Sequence, residues 1–213
     1  SNGELSSQAL PLIRSLLANR QALALGPGLG EGNDCALLTR ELVADCALPM
    51  VIDADGLNAL AGHLEILQRR GSSDTVLTPH PGEMSRLTGL TTTEIQQNRF
   101  AVAREFAIRH GVTLVLKGAR TLTATPAGRV FVNQSGHAGL ATGGMGDVLT
   151  GLIGSLLAQG LPAATAAPLG VFLHGLAADR LASRYGDAGL LAGDLMDELP
   201  AARLALKKEQ RQC

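Results

Sequence analysis

Short apolar runs recur through the first two thirds of the chain, and each is followed by a loop rich in glycine, proline or charge and then by a helical pattern. The runs are Ala22–Leu25, Met50–Ile52, Thr75–Leu77 and Thr113–Leu116. This repetition of strand, loop and helix predicts an α/β fold of three layers, with a mostly parallel central sheet and helices on both faces. Because ligands bind such sheets at the carboxyl ends of the strands, and the unusual loops all follow strands, we expect a single active-site edge.

The rest of the chain is predicted to be helical, apart from one hairpin. Helical periodicity covers Asp34–Ala44, Leu57–Leu60 and about residues 93–110, and later about 146–159, 163–184 and 192–206. In the helix at 93–110, one face is expected to carry Phe100, Ala103, Phe106 and Ala107. Apolar runs at Thr121–Ala124 and Val130–Val132, separated by Pro126-Ala127-Gly128, predict an antiparallel hairpin.

The length of 213 residues suits one domain with a sizeable core. We expect an N-terminal segment at residues 1–8 that is flexible or foreign to the protein, one domain at 9–206, and a charged tail at 207–213. The segment 163–178 is the most apolar in the chain, but Pro168, Gly170 and Gly175 interrupt it. It therefore reads as a buried helix rather than a membrane span.

Composition argues against macromolecular polyanions as partners. Aromatic residues make up 2% of the chain, too few for base stacking, and the formal net charge of −1 provides no basic field for nucleic acid. The cysteines Cys35, Cys46 and Cys213 lack metal-binding spacing, and their odd number favours a reducing compartment. With no signal peptide recognisable, we expect a cytoplasmic protein that binds neither nucleic acid nor membrane.

The segment Gly139-Leu-Ala-Thr-Gly-Gly-Met-Gly-Asp147 contains four glycines and precedes the apolar helical run Val148–Ala158. Glycines let the backbone turn tightly and expose its N–H groups. The loop therefore becomes a helix N-terminus, where free amides and the positive end of the helix dipole favour a phosphate or its transition state.

Asp147 falls in the first turn of that helix, and its carboxylate has two interpretations. It could cap the helix, which is the commoner role for an isolated Gly-Asp pair. The density of glycines favours the alternative, a catalytic base that takes a proton from a hydroxyl attacking the phosphate.

Two loops nearer the N-terminus are ambiguous. Gly26-Pro-Gly-Leu-Gly30 is a candidate phosphate loop, but it lacks the Lys-Ser/Thr of a Walker loop, and a tight structural turn is equally compatible with it. Asp53, Asp55 and Asn58 follow the second strand. They could cap a helix, hold magnesium through water or position a sugar hydroxyl, and we favour the structural role.

Two further loops carry polar side chains to the same edge. In Thr78-Pro-His80-Pro-Gly-Glu83 the prolines stiffen the loop, and His80 is interpreted as a hydrogen-bonding group for a substrate in preference to a structural role. Lys117 and Arg120 follow the fourth strand, where they are either ordinary surface charges or the groups that neutralise a nucleotide's phosphates.

Taken in order, five motifs resemble the NAD(P)H-hydrate dehydratases, the carbohydrate-kinase-like branch of the ribokinase superfamily. They are Gly-Pro-Gly-Leu-Gly, Asp-Ala-Asp-Gly-Leu-Asn, Thr-Pro-His-Pro-Gly-Glu, Val-Leu-Lys-Gly-Ala and Gly-Gly-Met-Gly-Asp. The resemblance itself runs from about residue 23 to about residue 199. The resemblance implies a ribokinase-like fold and a lyase that uses ATP or ADP to restore NADH or NADPH from its hydrate (NADHX or NADPHX). The implied route is phosphorylation of the C6 hydroxyl and expulsion of phosphate.

The resemblance also implies roles for particular residues. Asp147 matches the catalytic aspartate, which also contacts the hydrate, and the anion hole matches Gly143, Gly144 and Gly146. The family residues that contact the hydrated dinucleotide correspond here to Gly28, Gly30 and His80. The AMP portion of the nucleotide matches Lys117, Gly118, Ala119, Arg120 and Thr121, with Gly146 also touching the nucleotide. Mg²⁺ is implied between the phosphates, with Glu83 as a candidate ligand through water.

The chain departs from the family pattern at its start. Family domains carry several dozen residues before the Gly-Pro-Gly turn, whereas about twenty precede it here, so we expect the family's first strands to be absent. The epimerase domain often fused in this family is also absent from the sequence, although pairing with an NAD(P)HX epimerase is expected, as is a homo-oligomer. Two alternatives remain open: a related kinase of a thiazole or pyrimidine alcohol, and a shortened domain that binds nucleotide without catalysis.

Overall fold

The computed structural model describes residues 5–70 and 74–209. Its six strands are β1 (Leu23–Leu25), β2 (Met50–Ile52), β3 (Thr75–Leu77), β4 (Thr113–Leu116), β5 (Leu122–Ala124) and β6 (Val130–Val132). Its helices are α1 (Leu10–Leu17), α2 (Asn33–Asp45), α3 (Asp55–Leu60), α4 (Glu65–Arg69), α5 (Pro81–Thr88), α6 (Thr92–Gln97), α7 (Arg99–His110), α8 (Met145–Ala158), α9 (Ala163–Tyr185) and α10 (Ala192–Glu209). Short 3₁₀ turns lie at Ser7–Ala9 and Ala138–Ala141.

The strands form one sheet in the order of the sequence, β1-β2-β3-β4-β5-β6. Strands β1 to β4 are parallel, with Leu25 opposite Ile52 and Ile52 opposite Leu77. The β5–β6 pair is antiparallel and adds to β4, with Ala124 opposite Val130. The predicted mostly parallel sheet and its terminal hairpin are both confirmed.

The two faces of the sheet are covered by different parts of the chain. Side chains alternate along each strand, so Met50 and Ile52 face one way and Val51 the other. The first face packs against α1 to α7, the helices between and before the parallel strands. The second face, which includes Val76 and Val115, packs against α8 and α9. The C-terminal helices therefore complete the third layer of the predicted fold.

The predicted long helix at 93–110 is wrong in one respect, because it is two helices that meet at Asn98. The first, α6, has its own capping box between Thr91 and Glu94. In α7 the guanidinium of Arg99 turns inward and donates to the carbonyl oxygens of Leu116 and Lys117. The adjacent Phe100 consequently points outward and is 54% exposed, whereas the other three residues of the predicted face are buried.

The described residues near both ends of the domain are more regular than the sequence pattern indicates. Before β1 the backbone forms a 3₁₀ turn and α1, and the Ser7 N–H donates to Asp34 at 2.9 Å. Helix α10 continues to Glu209, so the first residues of the expected charged tail are helical. Residues 1–4 and 210–213 lie outside the described residues. Within the described ranges, none of the helices combines the length and apolarity that spanning a membrane requires.

Candidate active site at the strand ends

Four strand-end loops meet at one edge of the sheet. Hydrogen bonds link neighbouring loops directly: the Asp53 N–H donates to Leu25 O (3.0 Å), the Thr78 N–H to Ile52 O (3.1 Å), and the Lys117 N–H to Pro79 O (2.9 Å). The loops after β1, β2, β3 and β4 therefore lie side by side, and the unusual sequences that they carry share one surface.

The glycine loop joins this edge through the N-terminus of α8. Gly144 is the N-cap residue of α8 and lies in the left-handed region, at φ +83°. No side chain in the described ranges donates or accepts a capping hydrogen bond at this end of the helix. Among the described residues, the N–H groups of Gly146 and Asp147 have no backbone or side-chain acceptor. Such free first-turn amides, together with the helix dipole, form a site suited to a phosphate group.

Asp147 lies in the first turn of α8 with its side chain exposed. Its carboxylate makes no hydrogen bond or ion pair to any residue of the described ranges, so it does not act as a helix cap. A carboxylate that is free beside free amides is able to accept a proton from a hydroxyl group held against a phosphate.

Beneath the glycine loop lies a buried ion pair. Asp53, which is 1% exposed, accepts from the Lys117 ammonium at 2.8 Å through Oδ1 and from the Thr150 hydroxyl at 2.8 Å through Oδ2. The same ammonium lies 3.7 Å from Glu83 Oε2. A side chain at Gly146 would begin 3.5 Å from Lys117 Nζ, so the first turn of α8 rests on this pair.

His80 and Glu83 form a capping box at the start of α5. His80 Nδ1 accepts from the backbone N–H groups of Gly82 (3.0 Å) and Glu83 (3.3 Å), while Glu83 Oε2 accepts from the His80 N–H at 2.7 Å. The other ring nitrogen, Nε2, lies 3.5 Å from Glu83 Oε1, and the side chain is half exposed. His80 therefore has a structural role as a helix cap, and its ring remains accessible from the sheet edge.

The segment 117–121 forms an exposed turn after β4. Gly118, Ala119 and Arg120 are exposed, and the Thr121 hydroxyl closes the turn by donating to Gly118 O at 3.0 Å. Arg120 adopts a φ of +56°, in the left-handed region that non-glycine residues rarely occupy. Backbone strain of this kind concentrates at functional sites. Lys117 itself points inward, towards Asp53.

The Gly26–Gly30 loop is tied to the β2 loop. A Cβ on Gly26 would lie 1.7 Å from Asp53 O, so only glycine fits between the two strand ends. The Gly30 N–H donates to Asp55 Oδ2 at 2.9 Å. Gly28, by contrast, has no heavy atom within 4 Å of its hypothetical Cβ, and it leaves open space above the sheet edge.

His174 supports the glycine loop from behind. Its Nε2–H donates to the carbonyl oxygen of Met145, the first residue of α8, at 2.9 Å. Burial lowers the pKa of His174, and the positive charge of Lys117 lowers it further, although the hydrogen bond to Met145 opposes this. The imidazole is therefore neutral in the folded protein near neutral pH.

The depressed pKa predicts a pH-dependent stability. Below the ordinary histidine value of 6.5, the unfolded chain binds a proton that folded His174 does not bind, so the free energy of unfolding falls as the pH falls. We expect wild type to lose up to about 1.4 kcal/mol per pH unit more than His174→Gln in this window. Urea unfolding of both proteins between about pH 7.5 and about pH 5.5 measures this difference. Parallel pH dependences contradict the assignment.

Four residues of the site were not assigned a role there from sequence. Asp53 was given a structural role, and Thr150, Arg99 and His174 were given none. Asp53 carried a signal, because it follows a fully apolar strand directly. The other three lie within helical patterns and act through contacts distant in sequence, which periodicity does not show.

The donor set suits a metal held mainly by phosphates. In residues 5–70 and 74–209, no group of three or more His, Cys, Asp or Glu side chains is arranged to hold an ion. Magnesium is commonly bound by one or two carboxylates together with substrate phosphates and water. Glu83, 6% exposed and already engaged by its capping box, fits a contact through water better than direct ligation.

Comparison with known proteins identifies relatives of this chain. A family model described as NAD(P)H-hydrate dehydratase matches residues 4–201. The chain is 45% identical over 207 residues to the bifunctional NAD(P)H-hydrate repair enzyme of Moorella thermoacetica, covering 97% of this chain and 39% of that protein. It is 47% identical over 193 residues to the ADP-dependent (S)-NAD(P)H-hydrate dehydratase of Neisseria meningitidis serogroup B, covering 88% of this chain and 64% of that protein.

Solved structures extend the comparison to the fold. The ADP/ATP-dependent NAD(P)H-hydrate dehydratase from Bacillus subtilis, co-crystallised with ATP/Mg²⁺ and soaked with CoA, superposes with a TM-score of 0.76 at 30% identity, covering 94% of this chain and 78% of that one. Ribokinase from Arabidopsis thaliana shares the fold alone, with a TM-score of 0.55 at 18% identity over 92% of this chain and 60% of that one. The predicted ribokinase-like fold is confirmed.

The chain spans about two fifths of the bifunctional relative's length and under two thirds of the Neisseria protein's. The family model, however, covers nearly all of the chain, including the strand-end loops and the glycine loop with Asp147. On this match the chain belongs to the NAD(P)H-hydrate dehydratase family.

Proposed function

We propose that this chain catalyses the ATP- or ADP-dependent dehydration of (S)-NAD(P)H hydrate to NAD(P)H. The observation that carries the proposal is the free Asp147 carboxylate beside the unpaired amides at the N-terminus of α8. Membership of the family supplies the substrate class, and its relatives bear the names of hydrate dehydratases and repair enzymes. The site supplies the chemistry, phosphoryl transfer to a hydroxyl group.

The reaction proceeds in two stages. Asp147 accepts the proton of the C6 hydroxyl, whose oxygen attacks the terminal phosphorus of the nucleotide and releases ADP from ATP, or AMP from ADP. The amides of Gly143, Gly144 and Gly146 stabilise the charge that develops on the phosphoryl oxygens. The ring nitrogen lone pair then expels phosphate from C6, and loss of a proton from C5 restores the dihydronicotinamide.

The nucleotide is assigned to the turn after β4. Arg120 and the backbone of Gly118, Ala119 and Thr121 are exposed or half-exposed there, within reach of solvent. Lys117 has three N–H donors and two carboxylate neighbours, so one donor remains for a phosphate oxygen. Bound Mg²⁺ supplies charge neutralisation for the phosphates, with Glu83 as its water-mediated contact.

The hydrated dinucleotide is assigned to the loops after β1 and β3. Gly28 leaves open space at the strand ends, Gly30 is fixed by Asp55, and the His80 ring is half exposed. These three residues and Asp147 form the proposed binding surface for NADHX or NADPHX.

Exposed apolar side chains such as Phe131 and Val132 on the edge strand β6 are compatible with the expected homo-oligomer.

Partnership with an NAD(P)HX epimerase and a cytoplasmic location are part of the proposal. The bifunctional names of several relatives support the epimerase partnership, since the dehydratase acts on one epimer of the hydrate. A light-scattering measurement of the purified chain tests the oligomer.

The decisive experiment mixes the chain with NADPH hydrate, Mg²⁺ and either ATP or ADP, and follows absorbance at the reduced-nicotinamide band. Recovery of the band that depends on nucleotide supports the proposal. Absence of recovery from a folded sample contradicts it for this chain. Accumulation of a stable phosphorylated hydroxyl compound, without recovery, indicates a small-molecule kinase, and nucleotide binding without any turnover indicates a non-catalytic domain.

A further inference from the structure

Two side-chain hydrogen bonds and one ion pair connect α8 to three strand ends. The Thr150 hydroxyl on α8 donates to Asp53 after β2, Asp53 accepts from Lys117 after β4, and Lys117 approaches Glu83 after β3. Thr150 and Asp53 are each 1% exposed, so these bonds form away from competing water. A hydrogen bond to a buried carboxylate is stronger than one between neutral groups.

The position of Thr150 in α8 links these contacts to the reacting groups. Thr150 lies three residues after Asp147 and four after Gly146, so all three share one face of the helix. A Cβ on Gly146 would lie 3.6 Å from Asp53 Oδ2, which places the first turn directly above the carboxylate. A bond from Thr150 to Asp53 therefore fixes the distance of that turn from the sheet edge and its rotation about the helix axis.

The two carboxylate oxygens of Asp53 accept hydrogen bonds from different groups. Oδ1 accepts from the Ala54 N–H and the Lys117 ammonium, and Oδ2 accepts from Thr150. Ala54 holds a φ of +49°, so the backbone that presents Asp53 is itself constrained. The carboxylate thus orients the cation on one side and the helix on the other.

We propose that Asp53 and Thr150 are positioning residues for phosphoryl transfer. Through this pair, the amides of Gly146 and Asp147 and the Asp147 carboxylate are held in register with the phosphate and the attacking hydroxyl. Neither residue touches the reacting atoms. The inference rests on the proposed function, since it concerns the same site.

Two substitutions at Thr150 separate the hydroxyl from the methyl group. Thr150→Val keeps the shape and removes the donor, and Thr150→Ser keeps the donor and removes the methyl group. In the nucleotide-dependent recovery assay, we expect Thr150→Val to lower kcat by about 10- to 100-fold, because small misplacements of reacting groups have effects of this size. Thr150→Ser is expected to stay within about 3-fold of wild type, and the nucleotide KM within about 3-fold in both variants.

Thr125→Val is the matched control. Thr125 is also buried and its hydroxyl accepts from the Arg129 N–H at 3.2 Å, but it lies in the β5–β6 hairpin, away from the strand-end loops. We expect a lowered melting temperature and an unchanged kcat. We also expect Thr150→Val to lower kcat less in an Asp53→Asn background than in wild type. Both substitutions act on the same interaction, the bond between the Thr150 hydroxyl and the Asp53 carboxylate, so their effects are not additive.

The outcomes separate the inference from the proposed function. If wild type is active and Thr150→Val has the same kcat, the positioning role is overturned and the dehydratase assignment remains intact. Equal impairment of Thr150→Ser and Thr150→Val also overturns it, since packing of the methyl group then explains the loss. A folded wild type that recovers no NADPH overturns both.

Discussion

Replacement of Asp147 by Asn is expected to lower kcat for NADPH recovery by roughly 10²–10⁴-fold, the range typical for loss of a general base. Asparagine keeps the size of the side chain and removes the proton acceptor. The side chain is exposed and makes no bond to any described residue, so the fold is expected to be unaffected. Initial rates with Mg²⁺-ATP and Mg²⁺-ADP measure the loss, and calorimetry is expected to give an unchanged affinity for ADP.

Glu65→Gln is the control for this substitution. Glu65 is an exposed carboxylate in the first turn of α4, so its replacement also removes one charge from a helix start. It belongs to none of the strand-end loops, and we expect wild-type rates. Near-wild-type turnover by Asp147→Asn contradicts the assignment of Asp147 as the base. A loss of ADP affinity that accounts for the whole rate change would instead indicate a binding role.

Substitution of Gly26 by Ala is expected to lower the free energy of unfolding by about 3 kcal/mol or more, through overpacking and backbone strain together. The new Cβ would lie 1.7 Å from the carbonyl oxygen of Asp53, at a φ of +130°. Neither side can yield easily, because the Asp53 N–H is bonded to Leu25 O on the neighbouring strand. Since Asp53 holds Lys117 and Thr150, we expect a loss of activity as well.

Urea unfolding followed by far-ultraviolet circular dichroism is the suitable measurement, because the chain has no tryptophan and a single tyrosine. Gly28→Ala is the matched control in the same loop, also at positive φ (+69°) but with open space around its Cβ. Its expected cost is about 1 kcal/mol, from the left-handed backbone alone. Equal losses in the two variants argue against the close contact with Asp53 as the cause.

Sequence patterns predict the sheet well, for a physical reason. The runs at Met50–Ile52, Thr75–Leu77, Thr113–Leu116 and Val130–Val132 were predicted with the bounds that the structure shows. The three parallel runs among them belong to strands buried on both faces, and these read as continuous apolar segments. The break at Asn98 was missed. Arg99, the first residue after the break, donates to the carbonyl oxygen of Leu116 in β4, a tertiary contact that local periodicity does not contain.

The site was predictable loop by loop but not as a network. Strand-end loops and the glycine loop have local signatures, and the structure places them on a common edge. The Thr150–Asp53 bond, by contrast, joins residues 97 apart in sequence, and Thr150 lies in a mostly apolar helical run. For His80, the structure shows the structural role, because Nδ1 caps α5, and the half-exposed ring leaves the predicted contact to a substrate as a prediction.

The coverage of the sheet by two different parts of the chain has a consequence for synthesis on the ribosome. All six strands are complete at Val132, yet the face that includes Val51 and Val115 is covered by α8 and α9, which end at Tyr185. A nascent chain released up to the hairpin thus presents an apolar sheet face that awaits residues not yet translated. Such half-made α/β domains are prone to aggregation. Because the glycine loop leads directly into α8, the free amides of that helix reach the sheet edge only when this last layer docks.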